Sequence, residues 1–311
     1  MKIIFFGTPE FVIPIPQALL EAGFNLVAVV TNPDRVVGKR QILTPSPTKQ
    51  WAQKQQIPIL TPEKLDSQFL NILISQYPNI DLGVLAAYGK ILPPEILRLP
   101  KSGCLCIHPS LLPKYRGASP VQAAIINGER ETGVSIIKMD EKMDHGPIVS
   151  QFKEEIKPDD TAESLYSRLF QAAAEVLVTI LPAWVEGRII PREQDHSQAT
   201  YTKLLKKEDG FIPAETLGII APKPGSTSKC KLGPDELERF IRAMSPWPGA
   251  WTEIQKTEDR RQKTVRRLKI LKAHIEDKHL VLDLVQLEGK KPVTWKQFRE
   301  GYPGVKIGTS L

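Results

Sequence analysis

His108 ends the short apolar run Leu105-Cys106-Ile107, and Asp144 follows one predicted strand later in Met143-Asp144-His145-Gly146. A neutral imidazole at the carboxyl end of a strand can take a proton, and an imidazolium can donate to an oxyanion. A carboxylate brought beside it would orient the ring, and could also take the proton of an attacking ammonium. Such a pair suits acyl transfer to an amine. Asp140 and His145 are close enough in sequence to compete for the same roles, and spacing leaves that choice open.

Cys104, Cys106 and His108 alternate, so on one strand they share a face. Three ligands that close together rarely wrap one tetrahedral ion, and no second Cys/His cluster supplies a fourth, so no metal is expected. Cys106 as a nucleophile with His108 as its base is conceivable. Small buried thiols are the more usual explanation. After the histidine, Pro109 and Pro113 stiffen Ser110-Leu111-Leu112-Pro113 and the following Tyr115-Arg116-Gly117, a loop able to hold a flat ring or an incoming amine. A second apolar run, Leu85 to Tyr88, empties into Gly89-Lys90 and Pro93, where backbone groups could meet the edge of a pterin.

The elements that must position these groups alternate along the chain. Lys2–Gly7, Leu26–Thr31, Leu82–Ala87 and Leu105–His108 are almost wholly apolar and predict buried strands. Helical spacing runs through Pro9–Ala22, Trp51–Gln56, Leu65–Gln76, Val121–Asn127 and Ala162–Trp184. Val134–Lys138 and Ile148–Phe152 predict two closely spaced, antiparallel strands. Asn32–Lys49 mixes Pro, Gly and cations and predicts an exposed loop. The pattern is that of an α/β fold, a mostly parallel sheet covered on both faces. Gly7-Thr8-Pro9-Glu10 is no dinucleotide fingerprint: it lacks Gly-x-Gly-x-x-Gly, and Pro9 removes a donor a phosphate would use. Past Tyr201 the character changes to one short helix, Pro234–Met244, and several short strands, which predict a small β-barrel.

A length of 311 residues suits two domains, divided here as 1–200 and 201–311. Residues 1–200 carry 20 Lys+Arg against 21 Asp+Glu, whereas residues 201–311 carry 22 against 14. A near-neutral stretch followed by one with a surplus of 8 positive charges places chemistry in the first and a polyanion contact in the second. A solvated lysine-rich surface accounts for the same imbalance. The N-terminus lacks the cationic, apolar and small-residue succession of an export signal. No apolar run approaches the ~20 residues a bilayer demands. Three cysteines without such a signal read as reduced thiols. The expectation is a cytoplasmic monomer with no membrane contact.

Around these residues the chain resembles the methionyl-tRNA formyltransferase family of folate-dependent enzymes, over nearly its whole length. Ile3-Ile-Phe-Phe-Gly-Thr-Pro-Glu-Phe11, Ala87-Tyr-Gly-Lys-Ile-Leu-Pro93, His108 through Gly117 and Tyr201-Thr-Lys-Leu204 carry the likeness. Ile241-Arg-Ala-Met-Ser-Pro-Trp-Pro-Gly249 and Gly289-Lys-Lys-Pro292 with Gly301 match that family rather than shorter formyltransferases. The resemblance implies a Rossmann-like catalytic domain and a basic, OB-like, tRNA-binding barrel. It implies formyl transfer from 10-formyltetrahydrofolate to the α-amino group of initiator methionyl-tRNA for translation initiation. His108 and Asp144 match catalytic residues, Ser110, Leu111, Leu112 and Pro113 the folate loop, with Tyr88 and Gly89 beside it. Arg35, Lys39 and Arg40 occupy the place of a loop that contacts the acceptor arm.

In three places the chain departs from the family pattern. Cys106 stands where the family has a catalytic Asn, Asp144-His-Gly replaces Asp-Thr-Gly, and Phe211–Leu232 follows the pattern poorly. A formyltransferase acting on a sugar-nucleotide or small-molecule amine, and a tRNA-binding relative disabled at Cys106, are the alternatives.

Overall fold

The computed structural model describes residues 1–37, 41–217, 232–259 and 262–302. In chain order, β1 (Lys2–Gly7) leads to α1 (Pro14–Glu21), β2 (Asn25–Val30), the hairpin β3 (Arg35–Val37) and β4 (Ile42–Thr44), and α2 (Pro47–Lys54). Next come β5 (Ile59–Leu60), α3 (Ser67–Gln76), β6 (Leu82–Ala86), α4 (Pro94–Leu97) and β7 (Cys104–His108). They are followed by β8 (Arg116–Gly117), α5 (Pro120–Ile126), β9 (Glu131–Lys138), β10 (Ile148–Glu155), α6 (Ala162–Val185) and β11 (Tyr201–Thr202). The remaining elements are α7 (Pro234–Ala243), β12 (Ala250–Asp259), β13 (Gln262–Glu276), β14 (His279–Leu287), β15 (Val293–Thr294) and α8 (Trp295–Gly301).

Two compact units result. The first comprises residues 1–120, 131–155 and 164–203; the second comprises 121–130, 156–163 and 204–311. The second unit therefore draws on two short stretches inside the first 200 residues, as well as on the C-terminal part.

The first unit is built on a seven-stranded sheet in the order β10-β9-β7-β6-β1-β2-β5. The pairs from β5 through β7 are parallel, and β9 and β10 join antiparallel. This is the expected mostly parallel α/β sheet. Every residue of β6 and β7 is buried, as their unbroken apolar sequences require. α6, read from the sequence as Ala162–Trp184, reaches the length and apolarity of a bilayer-crossing helix. Yet Leu165, Leu169, Ala173, Leu177 and Leu181, spaced by four, are fully buried, as on the inner stripe of a core helix.

Local chemistry moves several predicted boundaries. The helix expected over Pro9–Ala22 splits into a 3-10 turn at Glu10–Val12 and an α-helix starting at Pro14. Proline fits the first turn, where its missing N–H costs nothing. The helix expected from Trp51 starts at Pro47, because the Ser46 hydroxyl accepts from Lys49 N at 3.0 Å and caps it. The Asn32–Lys49 loop thereby contains both the β3–β4 hairpin and the first turn of α2.

In the second unit, where an OB-like barrel was expected, the described strands pair as an antiparallel meander, β12-β13-β14-β15. Leu237 and Ile241 of α7 join Ile254, Leu268, Ile270, Val285 and Phe298 in its core. Arg242 Nη1 donates to Asp160 O at 2.6 Å, which ties the 156–163 stretch to α7.

Candidate active site

β7 delivers His108 to the carboxyl end of the sheet, the edge where open α/β folds bind ligands. Its Nε2 lies 3.0 Å from Tyr115 O, to which it donates. On the other edge, Nδ1 lies 3.6 Å from Asp144 Oδ2. That is an ion-pair separation and too long for a hydrogen bond, so neither group is wholly committed to the other. Asp144 Oδ2 also accepts from Gly117 N at 2.7 Å. The two side chains are only 6% and 15% exposed, which shields charge developing between them from bulk water. The competing pair is separate: His145 Nδ1 donates to Asp140 Oδ2 at 2.6 Å, and the His145 ring stacks on His196.

The loop after His108 is pinned from below by Ser135, which pairs with His108 across β9. Ser135 Oγ donates to Ser110 O at 2.7 Å and accepts from Leu112 N at 3.0 Å and Gln151 Nε2 at 2.8 Å. Ser135→Ala leaves these buried groups short of partners. A loss of about 1–3 kcal/mol in urea unfolding is expected, and less than ~0.5 would mean that the loop holds itself. Ser110 Oγ is turned inward to Lys114 O, and Leu112 lies in the core. Of the four residues matched to the folate loop, only Leu111 and Pro113 keep partly exposed side chains.

Tyr88 is also a core residue, packed edge-on against Phe6, and its carbonyl accepts from Asn32 Nδ2 at 2.9 Å. Ala87 and Gly89 on either side take left-handed φ of 43° and 81°. Non-glycine residues seldom adopt that conformation, and Tyr115 and Asp144 share it, at 61° and 50°. Cys106 is buried in the same core. Burial first, then the Asp144 carboxylate and Cys104, raise its thiol pKa well above the ordinary value, and burial lifts Cys104 to about 12.

Both thiols therefore stay protonated at neutral pH, which argues against Cys106 as nucleophile. Above pH ~9 the unfolded chain releases thiol protons that the native state keeps, so stability should fall as pH rises through that range. At pH 8, iodoacetamide should leave Cys104 and Cys106 unlabelled in the native protein and label both in urea. Rapid native labelling at Cys106, read by peptide mass mapping, would contradict this.

Sequence reasoning missed the segment after α6. Ile148 and Arg192 exchange backbone hydrogen bonds of 2.7 and 2.8 Å, and β11 pairs with β8, so residues 192–202 wrap the 115–119 turn. Gly117 is required there: a Cβ would lie 2.3 Å from Thr202 O, and its φ is +107°. Arg116, 2% exposed, donates to Gln194 Oε1 (2.7 and 3.3 Å), to His196 Nδ1 (2.8 Å) and to Tyr201 OH (3.4 Å). Nothing in the polar stretch Arg192-Glu193-Gln194-Asp195 signals this. Ser135 did carry a signal, as a lone hydroxyl in the apolar run Val134–Ile137.

Of the residues matched to the acceptor-arm loop, Arg35 is exposed on β3, and Lys39 and Arg40 lie outside the described residues. Arg35 lies close enough to Lys90 to lower its pKa, after burial, which is the larger cause. Among the described residues no group of three His, Cys, Asp or Glu is placed to hold a metal ion. A cavity of about 840 Å³ opens beside the Asp144 loop, lined by Leu97, Arg98, Lys138, Met139, Lys142 and Trp184 among others. His108, Asp144 and the residues matched to the folate loop do not line it.

Two family models match the chain, the formyl transferase domain over residues 1–181 and the formyl transferase C-terminal domain over 233–280. A methionyl-tRNA formyltransferase of Chloroflexus aurantiacus is 44% identical over 81% of this chain and 76% of its own. One of Roseiflexus castenholzii is 37% identical over 97% and 96%. Among solved structures, a methionyl-tRNA formyltransferase from Clostridium thermocellum superposes with a TM-score of 0.57 at 20% identity, covering 92% of this chain and 98% of its own. A sugar N-formyltransferase from Shewanella gives 0.58 at 18%, covering 92% and 99%. With a matched catalytic domain, a matched C-terminal domain and relatives this similar, the chain belongs to the formyl transferase family.

Proposed function

We propose that this chain transfers the formyl group of 10-formyltetrahydrofolate to the α-amino group of initiator methionyl-tRNA, for translation initiation in the cytoplasm. The observation that carries this reading is the His108–Asp144 pair at the carboxyl end of β7, in a chain whose relatives bear that activity in their names.

The amine lone pair attacks the formyl carbon, a C–N bond forms, and the carbonyl π pair moves to oxygen. His108 in its imidazolium form, with Nε2–H held by Tyr115 O, presents Nδ1–H to that oxyanion. Asp144 takes the proton that the nitrogen sheds. Collapse of the tetrahedral intermediate breaks the bond to N10 of the folate, which receives a proton, leaving formyl-methionyl-tRNA and tetrahydrofolate. One acyl group and one proton move, with no redox change. The backbone edges of residues 87–93 and 110–113, on either side of the β6–β7 ends, are proposed to meet the folate. Leu111 and Pro113 would supply side-chain contact.

The positive surplus of residues 201–311, with Arg35, Lys39 and Arg40, would neutralise tRNA phosphates. If about six phosphates are engaged, affinity should drop roughly 10³-fold between ~50 and ~200 mM salt. A dissociation constant indifferent to salt would remove this part of the reading. The activity itself is tested by incubating labelled methionyl-tRNA with 10-formyltetrahydrofolate, with an amino-sugar nucleotide as a parallel acceptor. Formylation of the sugar alone would favour the small-amine alternative.

A further inference from the structure

We propose that Gln194 is a positioning residue for formyl transfer, fastening the Asp144 turn to the buried Arg116 guanidinium and so aiming the Asp144 carboxylate. This rests on the formyl-transfer reading above.

Every hydrogen-bonding group of the Gln194 amide is used. Nε2 donates to Asp144 O at 2.9 Å and to Gly146 O at 2.7 Å, while Oε1 accepts from Arg116 Nη2 at 2.7 Å and Nε at 3.3 Å. The orientation is unambiguous, because a flipped amide would set oxygen against two carbonyls and NH2 against a guanidinium. The side chain is buried, so water cannot substitute for either set of bonds.

The turn it grips needs gripping. Asp144 holds a φ of +50°, costly for a residue with a side chain. Gly146 packs so closely on Lys138 O that a Cβ would lie 1.9 Å from it. One NH2 group gathers the carbonyls of residues 144 and 146 and holds the turn in that shape. Arg116 and Gly117 are consecutive on β8, so one dipeptide controls both ends of the acid: its backbone through Gln194, its carboxylate through Gly117 N.

Arg116 makes sense in this role. Among the described residues Arg116 donates to Gln194 Oε1, His196 Nδ1 and Tyr201 OH and pairs with no carboxylate, which is unusual for a buried guanidinium. A cation against Oε1 polarises the amide and strengthens its N–H donors toward the turn.

The test separates aiming from mere anchoring. Gln194→Glu keeps the size and the grip on Arg116, now as an ion pair, but turns two donors into acceptors facing carbonyls. The variant should fold with a lowered unfolding midpoint, since two buried carbonyls lose their donor, keep both KM values within about twofold, and lose roughly 10- to 10²-fold in kcat. Added to Asp144→Asn it should cost nothing further, since the group it aims is already gone. If Gln194→Glu fails to fold, near-isosteric Gln194→Met is measured the same way, with the same loss of kcat expected. A folded variant with wild-type kcat, or a loss that persists in full on the Asp144→Asn background, overturns the proposal. A wild-type chain that cannot formylate methionyl-tRNA overturns the functional reading beneath it, and is seen before any variant is made.

Discussion

His108→Ala should lower kcat for formyl transfer by about 10³-fold and leave KM for methionyl-tRNA nearly unchanged. In the proposed reaction the ring presents Nδ1–H to the developing oxyanion while Nε2 keeps it fixed on Tyr115 O, with the Asp144 carboxylate 3.6 Å from Nδ1. A donor already aimed at the reacting oxygen needs no reorganisation as charge appears there, and alanine leaves a void in its place. Because the proposed role of the ring is toward the transition state and not toward the tRNA, the loss belongs in kcat. Single-turnover formylation with saturating folate reads it directly. A loss smaller than tenfold would move the oxyanion to another donor and break the assignment. Asp140→Asn is the informative companion, since Asp140 serves His145 in a separate pair. A loss there as large as that at His108 would mean that spacing had hidden the wrong carboxylate.

How far such residues could be read in advance depends on what each one reports. The apolar runs of β1, β6 and β7 admit only buried strands, so the sheet, and with it the strand-end position of His108, was legible. Asp144 was legible as a turn carboxylate one strand on, yet its distinction from Asp140 needed coordinates, because both lie in the same loop. Side-chain direction was less accessible. Ser110 and Leu112 sit in the loop that the resemblance marked, but they turn inward and hold its shape. Gln194 lies 50 residues from Asp144 in a stretch that looks solvated, and only the return of the chain along β10 and β8 gives it its two carbonyls. Likewise the second compact unit takes in residues 121–130 and 156–163, a weaving that a cut at one sequence position does not express.

Cys106→Asn should raise kcat by about 10²-fold while lowering stability by about 1–3 kcal/mol. Alternation along β7 turns residue 106 to the same face as His108, and the Asp144 carboxylate is near enough to raise its thiol pKa, so this position borders the reacting groups. A protonated thiol donates only weakly. A carboxamide of nearly the same volume would add a strong N–H donor to the one His108 supplies. The cost arises from the same burial. Cys106 is 6% exposed in a core with Ile137, Leu85 and Leu112, where an amide oxygen without a partner is penalised. Rate and stability should thus move in opposite senses, a combination that a general tightening of the fold would not produce. Single-turnover rates and urea midpoints on the same preparation measure both. A gain of this size would mark the native site as a slow one. An unchanged or lower kcat would show that the thiol, or a backbone N–H beside it, already fills the role of the amide.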